Sequence, residues 1–248
     1  MIQQTIDDLR ACGCHGMIQA YVDQQNNSAV KSLGFEERFA SIVAREKTEK
    51  ETKRIQRLLG QAKLKEPSAC IEDITYQTAR SLDRSVIANH STCDWVSKGW
   101  NMLITGATGT GKTWLGCAMG NQAARRGFKV LYYRSSRLLE DLVIASADGS
   151  LPKLRTKIRK TDLLIIDDWA LSPITAQGRH ELLEVIDDRI GERSILITSQ
   201  LPVSQWHEYL GEPTIADAIL DRLVHRAHRL ELEGPSLRKV DEDKPSQG

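Results

Sequence analysis

Apolar residues near the start of the chain recur at the three- and four-residue spacing of an α-helix. The spacing is clear over 35–43, and it returns over 55–62. Side chains three and four positions apart lie on one face of a helix, so both stretches are predicted to be helical. Pro67 then stops the helix because proline has no amide hydrogen to donate. We therefore predict a small, all-helical N-terminal domain over residues 1–66.

From residue 101 onward, short apolar segments alternate with amphipathic ones. Buried strands of a parallel sheet are apolar on both faces, whereas the helices that cover them are apolar on one. This alternation predicts an α/β fold, a parallel sheet flanked by helices. A connector of mixed character, 67–100, belongs to the same predicted domain, which covers 67–248. The predicted strands are 101–105, 129–133, 163–166 and 194–198, and the predicted helices are 113–126, one that reaches Leu142, and about 178–190.

A glycine-rich loop follows the first predicted strand. Its sequence, GATGTGKT at Gly106–Thr113, fits the P-loop pattern G-x-x-x-x-G-K-[ST]. Glycines let successive amides point at phosphate oxygens, and the next helix adds its positive N-terminal end. Lys112 is predicted to reach the β- and γ-phosphates of ATP, and Thr113 to offer a hydroxyl to Mg²⁺. The predicted nucleotide-binding residues are Gly106, Ala107, Thr108, Gly109, Thr110, Gly111, Lys112, Thr113 and Trp114.

Two carboxylates follow the third predicted strand. Asp167 and Asp168 end the run LLIIDD, and open α/β sheets bind ligands at the carboxyl ends of their strands. Magnesium keeps much of its water shell, so Asp167 is predicted to hold it through a water, together with Thr113. Asp168 is predicted to polarise the attacking water. Such a run is a weak signal alone, but it lies about 55 residues after a complete P-loop, which makes it strong.

Polar and cationic residues near later elements are further catalytic candidates. The fourth predicted strand ends in Thr198, Ser199 and Gln200. Ser199 or Gln200 could orient the attacking water or contact the γ-phosphate; the alternative is a polar strand end without a catalytic role. Arg222 and Arg226 are four residues apart on a late predicted helix and share a face. Taken alone, such arginines are more typical of a surface that forms salt bridges.

The overall composition is that of an ordinary globular protein. Of its 248 residues 27% are charged and 40% hydrophobic, and the net charge is +1. So small a net charge gives no general attraction to nucleic acid or membrane. No apolar run approaches the roughly 20 residues that span a bilayer, and the polar, acidic N-terminus is unlike a signal peptide. We therefore expect a cytoplasmic protein with no membrane partner.

Local basic clusters nevertheless suit contacts with the phosphates of duplex DNA. The span Arg45–Lys65 holds eight Lys and Arg against three Glu, and Leu151–Lys160 holds five with no acid. For the first cluster a solvated helix face is an equally good interpretation. For the second, DNA is favoured over a solvated linker. The predicted DNA contacts are Lys47, Lys50, Arg54, Arg57, Arg134, Arg137, Lys153, Arg155, Lys157, Arg159 and Lys160.

Longer stretches resemble a known family. They are LGFEERFASIVARE, IEDITY, LDRS, CDW, NMLITGATGTGKTWLGCA, LLIIDDWAL, ITSQLPVSQWHE and ADAILDRLVHRAHRLEL, which together cover nearly the whole chain. The chain resembles the IstB helper ATPases of insertion-sequence transposition, which are similar to the DnaC/DnaI helicase loaders within the AAA+ class. The last stretches are much more specific than a P-loop alone.

The resemblance implies an ATPase with an AAA+ core that forms a homo-oligomer on duplex DNA, with ATP at the subunit interfaces. Such a protein bends the DNA, marks it as a target and passes it to a partner transposase of the IstA type. It also implies that Arg222 acts on the γ-phosphate of a neighbouring subunit, and that about 135–160 is an insertion facing DNA. The N-terminal helical domain is implied to contact DNA or a partner.

Two features depart from the pattern of the class. The acidic pair is Asp-Asp where many AAA+ proteins have Asp-Glu, so the shorter Asp168 is expected to support slow hydrolysis. Little sequence follows Arg229, which leaves small room for a helical lid; Arg238 is a candidate substitute for a sensor arginine.

Two other functions use the same motifs. A helicase loader would deliver a helicase to single strands, and a nucleotide-switched DNA scaffold would hydrolyse ATP only incidentally. The stretches LDRS, CDW and ADAILDRLVHRAH favour the transposition branch over the loaders. A small-molecule kinase is a remoter interpretation, because neither a substrate-binding insertion nor a lid is evident.

Overall fold

The structure, a computed structural model, describes residues 2–76 and 81–237. The chain forms two compact units, Met1–Arg57 and Leu58–Gly248. The long helix α3 (Phe35–Ala62) contributes to both of them. This helix ends before Pro67, because Lys63 adopts the left-handed conformation, with φ of +51°, that terminates many helices.

The first unit consists of helices, as predicted for the N-terminal part of the chain. Helices α1 (Ile2–Ala11) and α2 (His15–Asn26) and a 3₁₀ turn at Ser28–Ser32 precede α3. The apolar spacing near the start of α3 predicted the helix correctly, but two of its aromatic side chains are not buried. Phe35 and Phe39 are 68% and 51% exposed, and their rings stack 5.9 Å apart.

A buried carboxylate joins α2 to α3. Glu46 of α3 is 5% exposed, and its Oε2 accepts a hydrogen bond of 3.0 Å from the Met17 amide in the first turn of α2. Burial by itself would raise the pKa of Glu46, but hydrogen bonds from the amides of Met17 and Gly16 and from the Lys50 ammonium outweigh it and lower that pKa from 4.5. The positive N-terminal end of α2 also stabilises a negative charge at this position.

Replacing Glu46 with alanine is expected to destabilise the opening of α2 by about 1 to 2 kcal/mol, since a capping acceptor is lost. Hydrogen exchange of the α2 amides in the full chain measures this directly. Because the pKa of Glu46 is lowered on folding, its contribution is complete above pH 4.5 and declines as the pH falls further. Glu49→Ala is the control, since Glu49 pairs with Lys53 at the surface of the same helix, 3.1 Å away. Equal exchange in the two variants would contradict the capping role.

The second unit is built around a sheet of five parallel strands in the order β2-β3-β4-β1-β5. Helices lie before and between the strands in the chain. The strands are β1 (Asn101–Gly106), β2 (Val130–Arg134), β3 (Leu163–Trp169), β4 (Ser194–Ser199) and β5 (Ala227–Leu232). The helices are α4 (Arg84–Ser91), α5 (Asp94–Ser97), α6 (Lys112–Arg125), α7 (Ser135–Asp148), α8 (Leu151–Arg159), α9 (Ala176–Asp187), α10 (Trp206–Leu210) and α11 (Pro213–Val224).

Both faces of the sheet are buried, which explains why its central strands are apolar runs. Leu163 and Ile165 of β3 belong to the hydrophobic cluster on the α6 side. Leu164 and Ile166, which alternate with them, belong to the cluster formed with α7, α9 and α11. The predicted α/β fold with a parallel sheet flanked by helices is therefore confirmed.

One prediction about the elements is wrong. The late helix ends at Val224, so Arg226 lies in a turn, and Ala227–Leu232 is a fifth strand. This strand pairs only with β1, and its half-exposed sequence AHRLEL lacks the apolar run of the central strands. The basic segment after α7 forms helix α8, Leu151–Arg159.

Candidate nucleotide site

The P-loop follows the carboxyl end of β1, and its glycines adopt backbone angles that would strain any residue with a Cβ atom. Gly106 has φ of +145°, and a Cβ atom there would lie 2.2 Å from the carbonyl oxygen of Leu232 in β5. Gly111 has φ of +89° and directly precedes the first residue of α6. The amides of the loop and the N-terminus of α6 therefore border the same space, as a bound phosphate chain requires.

Lys112 is folded into the loop. Its side chain is almost buried, and Nζ donates a hydrogen bond of 2.8 Å to the carbonyl oxygen of Ala107. Across the loop, Thr108 Oγ1 donates to Gln200 Oε1 at 2.6 Å. The ammonium thus already lies among the atoms that would surround phosphates, and Gln200 is joined to the P-loop from the end of β4.

Asp167 lies at the centre of a set of hydroxyl groups. It is fully buried, and its Oδ1 accepts hydrogen bonds from Thr113 Oγ1, at 2.8 Å, and from Thr198 Oγ1. Its Oδ2 accepts one from Tyr132 Oη at 2.7 Å. Burial and the nearby Asp167 carboxylate raise the pKa of Tyr132 far above its usual value, so this hydroxyl keeps its proton and donates.

The oxygen atoms around Asp167 suit a magnesium ion. Thr113 and Asp167 are in direct contact at the mouth of the phosphate loop, which joins the two predicted metal-binding residues. Hydroxyl and carboxylate oxygens are ligands that Mg²⁺ accepts, usually with several waters retained. Thr113 and Asp167 would hold the ion, and it would neutralise charge on the phosphates of a bound nucleotide.

Asp168 is turned out of the sheet by its backbone. Its φ of +57° is left-handed, and the pairing of β3 with β4 shifts between Ile166 and Trp169. The Asp168 carboxylate therefore faces the cleft, where its Oδ2 accepts a hydrogen bond of 3.0 Å from Arg134 Nε. Arg134, which was predicted to contact DNA, lies at the nucleotide cleft on β2.

The cleft that these residues form has a volume of about 440 Å³, within the range of small-molecule sites. It lies along the P-loop and the ends of β2, β3 and β4. Trp114 and Leu171 contribute apolar surface to it. The polar groups that line the cleft include Thr108, Lys112, Thr113, Arg134, Asp168 and Gln200.

The three polar residues at the end of β4 differ in position. Thr198 Oγ1 donates to Asp167 and accepts a hydrogen bond of 3.2 Å from the Asp168 amide. Gln200 lines the cleft. Ser199 is buried, donates to the carbonyl of Trp169 at 3.0 Å and accepts from the amide of Leu201 at 3.0 Å. The Ser199 hydroxyl is therefore engaged by the backbone at the strand ends, and a catalytic role for it stays a prediction.

Arg222 lies at the end of the sheet where β1 begins, whereas the P-loop lies at the end where β1 finishes. Its carbonyl oxygen accepts a hydrogen bond of 3.1 Å from Asn101, the first residue of β1, whereas Gly106 is the last. At roughly 3.3 Å per residue these two ends are about 17 Å apart. The guanidinium of Arg222 pairs with Asp187 and donates to the carbonyl of Ala218 at 2.8 Å. Arg238 lies outside the described residues.

The predicted DNA contacts fall into different environments. Arg155 forms ion pairs with Glu184 at 3.0 Å and with Asp188 at 2.9 Å. Arg137 forms one with Asp141 at 3.0 Å. Arg155 is thus held between two carboxylates, and its contact with DNA stays a prediction. Exposed cations remain on α3 and around α8, and they are Lys47, Lys50, Arg54, Arg57, Lys153, Lys157, Arg159 and Lys160.

The sequence did not predict that Tyr132 and Arg134 belong to the nucleotide site. Both are on β2, whose parallel register places Arg134 beside Asp167 and Tyr132 beside Ile165. No motif marks them. A weak signal was present, since polar side chains at the end of a buried strand of such a sheet lie at the ligand edge.

The loop, the acidic strand end and the strand order together define a P-loop nucleotide-binding protein with the AAA+ core. The model of one protein family, the IstB-like ATP-binding proteins, matches residues 7–245. The chain belongs to this family, and the resemblance inferred from its motifs is confirmed. ATP is accordingly the nucleotide that the site is built to bind.

Individual comparisons agree with the family. The chain is 43% identical to an insertion sequence ATP-binding protein of Sinorhizobium fredii over 235 residues, 95% of this chain and 96% of that protein. It is 46% identical to the ATP-binding protein of insertion sequence IS1162 of Pseudomonas fluorescens over 204 residues, 82% and 88% of the two chains. The DnaC helicase loader has the same fold, with a TM-score of 0.54 and 15% identity over 66% of this chain and 97% of that one.

Among residues 2–76 and 81–237, no helix combines the length and the apolar character that crossing a membrane requires.

Proposed function

We propose that this protein is an ATPase that assembles on duplex DNA, remodels it as a target for transposition, and recruits or stimulates a partner transposase. The observation that carries the proposal is the 2.8 Å contact between Thr113 and Asp167, which unites the P-loop with the acidic strand end in one magnesium–ATP site. The similarity to ATP-binding proteins of insertion sequences supports the role in transposition.

Hydrolysis needs a group that accepts a proton from water near the γ-phosphate. The Asp168 carboxylate faces the cleft at the end of β3, and Arg134 holds it at 3.0 Å. This ion pair must loosen before Asp168 can bond to a water. Lys112 must likewise leave the Ala107 carbonyl to bind the phosphates. Both changes require little more than side-chain rotation, so nucleotide binding can bring them about.

The position of Arg222 supports assembly with ATP at the interface between subunits. This arginine lies too far from its own P-loop to act there, at the end of the sheet where Asn101 begins β1. A cavity of about 290 Å³ adjoins it and carries an excess of positive charge. The anionic phosphates of a nucleotide bound to a second copy fit such a cavity. The basic residues that line it are Lys98, Arg189, Arg193, Arg222, His225 and Arg226.

The exposed cations of α8 support binding to the DNA backbone. Lys153, Lys157 and Lys160 follow one another at helical spacing, so they lie on one side of α8 and its last turn. Lys153 and Lys157 border a groove between α7 and α8 together with Tyr133 and Arg137. Contacts of this kind bind phosphates without reading sequence.

Replacing Lys153, Lys157 and Lys160 together with alanine is expected to weaken duplex binding equally for unrelated sequences. Each lost phosphate contact lowers the salt dependence, so the slope of log K against log salt should fall by about 2 to 3. Fluorescence anisotropy at several salt concentrations measures it. Lys129→Ala, an exposed lysine before β2, is the control and should leave the slope unchanged. A triple variant with the slope of the unaltered protein would remove α8 from the DNA surface.

Electron microscopy with ATP and duplex DNA, combined with single-turnover hydrolysis, tests the function as a whole. A ring or spiral on duplex DNA and faster hydrolysis with duplex than without are the expected results. Two other functions predict different outcomes. Stimulation by single strands alone would favour a helicase loader, whose fold this chain shares. Assembly on duplex DNA without any stimulation would favour a nucleotide-switched scaffold.

A further inference from the structure

The two oxygens of the buried Asp167 carboxylate have different partners. Oδ1 accepts hydrogen bonds from both Thr113 and Thr198, whereas Oδ2 accepts one, from Tyr132 Oη at 2.7 Å. Asp167 has no exposed surface, so water does not replace a lost donor easily. A buried acceptor without a donor costs free energy, which makes the Tyr132 hydroxyl the group that fixes the rotation of this carboxylate.

The Tyr132 ring is itself held in place. It belongs to β2, packs against the hydrophobic cluster on the α6 side of the sheet, and reaches across to β3, whose Ile165 is its register partner. The next residue, Tyr133, packs against the cluster on the other face, and its ring lies 5.8 Å from the ammonium of Lys157. Two adjacent tyrosines therefore point to opposite faces, and of the two only Tyr132 bonds to Asp167.

We propose that Tyr132 is a positioning residue of the magnesium site, which holds Oδ2 of Asp167 so that Oδ1 stays directed at Thr113 and the metal's water shell. The inference rests on the proposed magnesium–ATP site. With Mg²⁺ bound, Thr113 would give its hydroxyl oxygen to the ion, and Oδ1, with one donor fewer, would be able to accept a hydrogen bond from the water shell of the ion. Oδ2 keeps its tyrosine throughout, so the carboxylate does not rotate. Such outer-shell hydrogen bonds orient ligands and raise metal affinity.

Tyr132→Phe tests the proposal, because it removes one oxygen atom and leaves the packed ring. Calorimetry of ATP binding is to be measured over a range of Mg²⁺ concentrations and again in EDTA. The Mg²⁺ concentration for half-maximal binding is expected to rise by about 10-fold or more, the usual loss when an outer-shell partner is removed. Binding of ATP in EDTA is expected to stay unchanged, since the P-loop amides and Lys112 are untouched.

Tyr133→Phe is the matched control: it makes the same chemical change one residue away, on the opposite face of the sheet, and should leave the Mg²⁺ dependence unchanged. An unaltered Mg²⁺ requirement in Tyr132→Phe would overturn the proposal. So would an equal loss of ATP affinity with and without Mg²⁺, which would mean that the hydroxyl supports the fold of the site in general. If the unaltered protein itself bound ATP without any dependence on Mg²⁺, the proposed function would fail first, and that result is distinguishable from both.

Discussion

Lys112→Ala is expected to lower the affinity for magnesium–ATP by at least about 100-fold, as the loss of charged hydrogen bonds of roughly 3 kcal/mol implies. The reason is structural: Nζ lies within the loop, 2.8 Å from the Ala107 carbonyl, and is the cation of the P-loop motif itself. Isothermal titration calorimetry measures the affinity. Thermal unfolding without nucleotide checks that the loop and sheet remain intact.

Lys98→Ala is a suitable control for this variant. Lys98 lies over the Trp100 ring, 4.9 Å away, and lines the basic cavity near the start of β1 instead of the P-loop. Its removal should leave ATP affinity in the isolated subunit unchanged. ATP binding by Lys112→Ala at nearly full strength would contradict the assignment of this cleft as the triphosphate site.

Arg222→Ala is expected to keep ATP binding and to lose hydrolysis by about 1,000-fold or more, the usual contribution of an arginine supplied to a transition state. The arginine lies at the far end of β1 from its own P-loop, and in the proposed assembly it acts on the nucleotide of another subunit. ATP affinity and DNA-stimulated hydrolysis are to be measured on the same preparation, since the expected result is that only hydrolysis changes.

A mixing experiment makes the test sharper. Subunits with Arg222→Ala retain an intact P-loop, and subunits with Lys112→Ala retain the arginine. Each is expected to be inactive alone, and a mixture should recover hydrolysis because one subunit supplies the arginine and the other the nucleotide. Asp187→Asn is the control, since it removes the ion pair of Arg222 within the subunit and leaves the arginine in place. Normal hydrolysis by Arg222→Ala alone would exclude the intersubunit mechanism.

Local patterns were enough to predict the P-loop and most of the sheet. The motif at Gly106–Thr113 depends on residues adjacent in the chain, and its glycines do adopt the positive φ angles that the loop needs. The central strands were predicted because burial on both faces makes them continuous apolar runs. The edge strand Ala227–Leu232 was not, since it has one neighbour and alternates exposed with buried residues.

The surroundings of an individual side chain could not be predicted from the sequence. Five cations between 151 and 160 looked alike in the sequence, yet Arg155 is neutralised by Glu184 and Asp188 of α9. Ser199 looked like a catalytic candidate, yet its hydroxyl is committed to the backbone of Trp169 and Leu201. In each case the partner comes from another element, so the sequence near the residue does not reveal it.

The sequence by itself determined that this protein has a P-loop and an acidic strand end in an α/β core, because each of those features is encoded by contiguous residues. Only the tertiary structure decided that Tyr132 bonds to Asp167 and that Arg134 pairs with Asp168. These contacts depend on the parallel pairing of β2 with β3, two strands joined through helices α7 and α8. The register of such a pairing is set by the packing of the whole sheet, which no short segment of sequence contains.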